Sequence, residues 1–388
     1  MKITKFGLML LAALQPIQFA PAFGANSEVD INASSKNGER LGPKNDASVY
    51  WVGHSLVEVK VTNDWGKHSL MTVLQLLASS RGLGYRFGDH TLWGSPISAL
   101  WRGRPHSYFR DASQMVAKRE EFERTAGQYD TLVITEGLPL KPSLTVEYSS
   151  YYLRRFYCTL KQANPAARVY LYQTWVNFHA NDTYSKFPPI HKFDWRAEMI
   201  AQRKIWEQLA DEAARPEVRA PGMLDRIGLG SKSDAGCSIE APIFIVPVGQ
   251  AMLALSDYLA KQETGDALRL PNGDVLTIGH VFGNTYVDWP QEWPLRDDTK
   301  DLDPAPILDK LKLRDPNRPI DDIHASALGV YFASLVHFAT IYRQSPMGLP
   351  APSAIGEDVA QLLQCVAWKT VVNDPRSGVL GNADDCKL

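Results

Sequence analysis

The sequence has no surplus of either charge sign. Its 388 residues carry 41 lysines and arginines against 43 acids. A surface that displaces phosphate counterions needs excess positive charge, so nucleic acid is excluded as a partner class. Long apolar runs are absent after the first residues. No later stretch approaches the roughly 18 unbroken apolar positions of a membrane span, and no stable membrane insertion is expected of the mature chain. Cysteine is scarce: Cys158, Cys237, Cys365 and Cys386 form no CxxC pair, which removes zinc-ribbon and thioredoxin-like readings. There is no HExxH, and the nine histidines lie apart. Even His179 and His191, which bracket one loop, read as solvated, so no metal is expected. Gly82-x-Gly84 follows a helical pattern and lacks the third glycine of a dinucleotide turn. No glycine-rich run leads into Lys-Ser/Thr, so a P-loop is excluded and no cofactor is expected.

What is present belongs to a folded globular chain, with 45% hydrophobic and 22% charged residues. Lys2 and Lys5 precede a short apolar run from Phe6 to Leu14, and small residues follow in Ala20-Pro21-Ala22 and Ala22-Phe23-Gly24. This pattern predicts a secretory signal peptide over 1–24 and a periplasmic or secreted product. Cleavage would remove two lysines and no acid, which deepens the acidic excess. An even cysteine count in an exported chain permits disulfides. All three pairings stay open, although Cys365–Cys386 is the shortest closure and would staple the C-terminal tail.

Residues 25–47 read as a polar leader. From Ser48, short β-rich runs alternate with helical spacing. Strands are expected at 48–53, 130–135, 168–175 and 242–249. Helices are expected within 65–80, at 146–163, 194–214, to about 261, and at 325–342. Alternation of this kind predicts an α/β fold, a parallel sheet covered by helices on both faces, and continuous apolar strands fit burial on both sides. One domain over 48–346 with loop insertions is expected, then a helical tail over 347–388. The long Pro/Gly/Asp-rich stretches, one carrying Tyr286, Trp289 and Trp293, read as decorations or lids.

Two places combine residue types that do chemistry. Gly53-His54-Ser55 follows the first strand directly, so Ser55 stands at the carboxyl edge of the sheet, where turn N–H groups are available to an oxyanion. A serine there is also an ordinary helix cap. Asp321-Asp322-Ile323-His324 stands immediately before the last long helix expected. Asp321 is three residues from His324, close enough to hold one imidazole nitrogen and leave the other to take a serine proton. The acids would also suit a helix N-terminus, but a histidine gains nothing from that place.

Together these motifs resemble the SGNH (GDSL-like) hydrolase family, with Gly53-His54-Ser55-Leu56 in place of Gly-Asp-Ser-Leu and Asp321-x-x-His324 matching the terminal motif. Gly94, in Leu92-Trp93-Gly94-Ser95-Pro96, stands where that family supplies an oxyanion N–H, and Val246-Pro247-Val248-Gly249 resembles the strand leading into its last segment. The resemblance covers about 48–345 and implies a three-layer α/β/α, flavodoxin-like sheet. It also implies Ser55 as nucleophile, His324 as base and then acid, Asp321 as orienter with Asp322 the alternative, and the N–H groups of Ser55 and Gly94 as the oxyanion hole. One block departs. The family's Gly-x-Asn-Asp is replaced by Glu136-Gly137-Leu138-Pro139, and an ionised carboxylate cannot donate. Gln173, Thr174 and Asn177 are the candidate replacements.

His54 reads as a structural or substrate-contacting residue rather than the base. Trp93 and Trp175 read as substrate contacts near the site, while Trp206 fits a core position. Glu136 reads as hydrogen-bonded or in contact with substrate, and a glycosidase-type carboxylate pair is not required by anything in the chain. The expected function is ester hydrolysis, with O-acetyl groups of a carbohydrate as the analogy-based substrate. The alternatives are an O-acetyltransferase acting on a sugar and a non-catalytic carbohydrate- or partner-binding protein on the same scaffold.

Overall fold

The computed structural model describes residues 42–103, 112–138, 140–176, 194–221, 232–233, 235–262, 267–282 and 323–386. In chain order the main elements are β1 (Asp46–Gly53), α1 (Ser55–Glu58), α2 (Leu70–Ser80), β2 (Gly84–Thr91), α3 (Ile97–Arg102) and α4 (Ala112–Thr125). Then come β3 (Thr131–Ile134), α5 (Leu140–Thr145), α6 (Ser149–Ala163), β4 (Arg168–Tyr172), α7 (Trp195–Ala214), β5 (Ile243–Val246) and α8 (Val248–Leu259). The chain closes with α9 (Ala327–Tyr342) and α10 (Glu357–Asn373).

The five strands form one sheet in the order β2-β1-β3-β4-β5, and every pairing is parallel. All four residues of β3, and all four of β5, are buried, which is why the sequence shows β5 as an unbroken apolar run and β3 as three apolar residues after Thr131. One face carries α2, α8, α9 and α10 on a core that includes Trp51, Val133 and Val246. The other carries α3, α4 and α6 on a core that includes Val52, Ile134 and Ile245. Helix α7 wraps the sheet edge: Trp195 and Met199 join the first core, and Trp206 and Leu209 the second. The result is a three-layer α/β/α fold. Its strand order reverses between β1 and β3, and in such sheets ligands bind beyond the carboxyl ends at that reversal.

Several elements differ in extent from the sequence reading. The edge strand β2 was not expected; only His90 and Thr91 in it are buried, and without a continuous apolar run it carries no strand signature. The helix expected over 146–163 starts later, as α6 at Ser149, just after Tyr148 takes a left-handed φ of 55°, and a separate short helix, α5, precedes it. The stretch after residue 346 is integral to the core: α10 buries Leu362, Leu363, Val366 and Trp368, and the amide of Ile245 in the outer strand β5 donates to the carbonyl of Arg376 at 2.8 Å. Disulfides join Cys158 to Cys237 and Cys365 to Cys386. Among the described residues no helix is long and apolar enough to cross a membrane.

Candidate active site

The nucleophile position is built from the sheet outward. Gly53 ends β1 against β3, where an added Cβ would lie 2.7 Å from the Thr135 methyl, so the strand passes here only as glycine. His54 then caps α1 and accepts from the Leu56 amide at 3.5 Å through Nδ1, while its Nε2 donates to the Glu136 carbonyl at 2.9 Å. Burial pushes the imidazole pKa down to about 4, so the ring is neutral. In this tautomer His54 does the capping work that an aspartate would do at the same place, and both its nitrogens are committed to the backbone. Ser55 follows, 8% exposed, at the first position of α1.

The base side is built from side-chain contacts. His324 stands before α9, whose cap is Ser326: its hydroxyl accepts from the Gly329 amide at 3.1 Å and donates to the His280 carbonyl at 2.6 Å. The helix therefore starts at Ala327 rather than 325, and its cap is a serine rather than an acid. Ala325 bridges to Phe282, and the Ser326 amide donates to the Val281 carbonyl at 2.9 Å. Trp175 donates its indole N–H to the Ile323 carbonyl at 2.7 Å. The Trp93 ring stacks on the imidazole, centroids 5.5 Å apart and planes 30° from parallel.

These two sides meet. His324 Nε2 lies 2.8 Å from Ser55 Oγ, a normal hydrogen-bond length. The pair opens into a cavity of about 410 Å³ shared with Gly94 and Gly137, with apolar walls from Leu56, Pro96, Leu138, Pro142, Val146 and Ile323. Gly94 takes a left-handed φ of 63°, and its block reaches the site from the end of β2, next to β1. Base, nucleophile and a backbone turn thus converge at the carboxyl edge of the sheet, an arrangement able to move a serine proton as the hydroxyl attacks an electrophilic carbon.

The remaining expected residues divide. Glu136 is fully buried beneath the cavity wall; its Oε1 accepts from the amides of Ile97 at 3.1 Å and Gly137 at 2.6 Å. Burial raises its carboxyl to about pKa 7 against the pull of those bonds. It does not line the cavity. Gln173 is buried with its Oε1 held by Arg203 at 2.8 Å, and that arginine is paired with Asp374 at 2.8 Å, away from the cavity lining. The structure does not bring Gln173 to the cavity lining beside Ser55, where the expected donation to an oxyanion would need it. Thr174 is buried outside the lining as well. Trp93 and Trp175 serve His324 and its neighbour as described, rather than forming the cavity lining. Asp321, Asp322, Asn177, His179, His191, Tyr286, Trp289 and Trp293 lie outside the described residues. Sequence reasoning missed the wall formed by α5 and the turn after it, Pro142, Ser143, Val146 and Glu147, because nothing local marks a residue that becomes a wall only through packing. Among the described residues no three His, Cys, Asp or Glu side chains cluster as metal ligands.

No protein-family model matches this sequence, and no curated protein matches it. Among solved structures, the chain is similar to a DUF4886 family protein from Bacteroides uniformis. That match is 11% identical, has a TM-score of 0.47, and covers 88% of this chain and 100% of that one. It is also similar to a GDSL-like lipase from Parabacteroides merdae, 16% identical with a TM-score of 0.32, over 58% of this chain and 89% of the other. A third likeness is to the periplasmic domain of a lipopolysaccharide acetyltransferase from Salmonella ser. Paratyphi A, 14% identical with a TM-score of 0.28, over 43% and 65%.

Proposed function

We propose that this chain is an exported serine hydrolase of carboxylic esters, with O-acetyl groups on a glycan as its substrate class. The observation that carries the reading is the 2.8 Å contact between Ser55 Oγ and His324 Nε2 at the mouth of a cavity. In this mechanism His324 takes the hydroxyl proton as Ser55 attacks the ester carbonyl. The developing oxyanion is met by the N–H groups of Ser55 and Gly94, and the imidazolium then protonates the leaving alcohol. Water, activated by the same imidazole, releases the acyl group and frees Ser55. Asp321 holds the far nitrogen of His324, as the Asp-x-x-His spacing supports. Export is supported by the Lys2/Lys5 segment with its apolar run, and by two disulfides, which persist in oxidising compartments.

The apolar walls beside Ser55 suit one second reading, in which a bound sugar covers the acyl-serine and its hydroxyl takes the acyl group instead of water. Both readings share the acyl-serine step. The test is turnover of 4-nitrophenyl acetate by the mature protein beside Ser55→Ala and His324→Ala. Each variant should fold and lose activity by about 10⁴-fold or more. Activity that survives in both folded variants would sink the proposal. Addition of acetylated and free glycans as acceptors then separates hydrolysis from transfer.

A further inference from the structure

We propose that Glu136 works as a neutral carboxylic acid, a positioning residue that ties together the three backbone segments around the oxyanion site, and that its ionisation turns the site off. The proposal rests on the hydrolase reading for its effect on activity, but not for the protonation itself.

The geometry begins with the carboxyl's surroundings. Glu136 is entirely buried at the end of β3, and among the described residues no lysine or arginine is paired with it. Its Oε1 accepts two amides, Ile97 at the start of α3 and Gly137 in the cavity wall. Its Oε2 accepts no hydrogen bond. The Ser149 hydroxyl lies beside the carboxyl, and its single proton is directed to the Ser143 carbonyl at 2.7 Å, which leaves a lone pair to face an acid. An ionised Glu136 would leave one charged oxygen buried with no donor, a costly state. A protonated one removes that charge: Oε1 remains the acceptor of both amides, and the Oε2 hydroxyl has the Ser149 oxygen, beside the carboxyl, as its acceptor by a small side-chain rotation.

The charged groups around it agree. Glu147, in the turn before α6, repels a second anion, and it is already paired with Arg102 of α3 at 3.2 Å. His54 faces Glu136 from α1, is neutral, and spends its Nε2 proton on the Glu136 carbonyl oxygen. His324 stands across the cavity, bonded to Ser55. The Ser149 side chain and the two amides pull the other way, and burial outweighs them; the amides serve only one oxygen.

The consequence for the reaction follows from what Glu136 holds. Its backbone carbonyl fixes His54 in the nucleophile turn, and its carboxyl fixes Ile97, three residues after Gly94, and Gly137. Pro96, Gly94, Gly137 and Ser55 all line the same cavity. A neutral acid preserves this frame with no charge beneath it. A carboxylate would place negative charge behind the wall where the ester oxygen becomes an oxyanion, and would oppose it.

The test compares the full-length wild type with Glu136→Gln, whose side-chain oxygen and amide mimic the acceptor and donor of the protonated acid. Infrared difference spectra at pH 6 should contain a protonated-carboxyl C=O stretch that Glu136→Gln removes and that titrates away on raising the pH. A wild-type spectrum with no such band overturns the proposal whatever the enzyme's activity. With 4-nitrophenyl acetate, Glu136→Gln should keep kcat/KM within about threefold of wild type at pH 6 and lose the alkaline decline, about tenfold per pH unit, that ionisation imposes on the wild type. Superimposable pH profiles overturn the switch. A band present together with no turnover by the wild type at any pH overturns the hydrolase reading and the switch with it, while the protonation stands.

Discussion

The two halves of the candidate site are held by different means. Ser55 is a continuation of the central strand β1: its position is set by parallel pairing to β2 and β3 and by the close approach at Gly53. His324 sits in a short stretch ahead of α9 and is fixed by individual bonds, the Trp175 indole on Ile323, the Ser326 cap, and the Trp93 stack. Backbone pairing is shared over many residues, so the nucleophile side should fail only together with the fold. The base side should loosen one contact at a time, with activity lost before stability.

The largest expected effect lies on the nucleophile side, which encloses two buried titratable groups of opposite sign. Glu136 has its folded pKa raised to about 7 by burial, so its contribution is fully present in acid and is lost as pH rises from about 4.5 to 7. His54 has its folded pKa lowered to about 4, so its contribution is present above about 6.5 and is lost as pH falls toward 4. Glu136→Gln should therefore become more stable relative to wild type by about 3 kcal/mol between pH 4.5 and 7, read from chemical denaturation at each pH. A stability difference that stays constant across that range would remove the buried acid from the comparison. Buried His337, whose pKa is lowered to about 3, adds to the acid-side loss, which should set in below about pH 6 in both proteins.

Next in size is the close approach at Gly53. Gly53→Ala drives a Cβ to 2.7 Å from the Thr135 Cγ2 and 3.1 Å from the Val57 Cγ2, an overpacking worth about 2 kcal/mol. Thr135→Ser removes that methyl and keeps the hydroxyl that donates to the Tyr172 carbonyl at 3.0 Å. The double variant should recover half or more of the stability that Gly53→Ala loses. No recovery would mean that the strand end, and not the methyl, sets the limit.

On the base side, Trp175→Phe deletes the donor to the Ile323 carbonyl and keeps an aromatic ring, leaving a small cavity where the rest of the buried indole stood. Stability should fall by about 2 kcal/mol, from the lost hydrogen bond and the cavity together, while kcat for 4-nitrophenyl acetate in the folded variant should fall about tenfold as His324 loses its register on Ser55. A kcat within about twofold of wild type in the folded variant would erase the distinction between the two sides.

What the sequence makes readable follows the same division. Strands buried on both faces are dominated by apolar and aromatic residues, as in Leu132 to Ile134 and Ile243–Val246, and stand out. The edge strand β2 is polar and glycine-containing along most of its length, so its pairing with β1 is visible only in the fold. Ser55 and His324 are readable because each belongs to a short local motif, and the fold brings them to 2.8 Å across 269 positions. Gln173 was a reasonable oxyanion donor by position alone, at the end of β4. Its side-chain oxygen instead accepts from Arg203, 30 residues onward on α7, a partner that no local pattern announces. The cavity walls from α5 and the capping role of His54 are of the same kind: the residue types permit them, and tertiary packing selects them.

The smallest effect concerns Trp93. Its ring lies over the imidazole of His324 with centroids 5.5 Å apart, within reach of a cation–π contact. When His324 takes the serine proton it becomes a cation against the indole face, so the contact strengthens as the transition state forms and favours kcat. Trp93→Leu removes that electron-rich face while keeping an apolar neighbour. A cation–π contribution of about 0.5–1 kcal/mol translates to a two- to fivefold loss in kcat/KM, and Trp93→Phe should retain part of it. Thermal stability should hardly move. A loss that is equal for Leu and Phe would show that the ring serves only as packing, and the base side would then owe its geometry to Trp175 and the Ser326 cap alone.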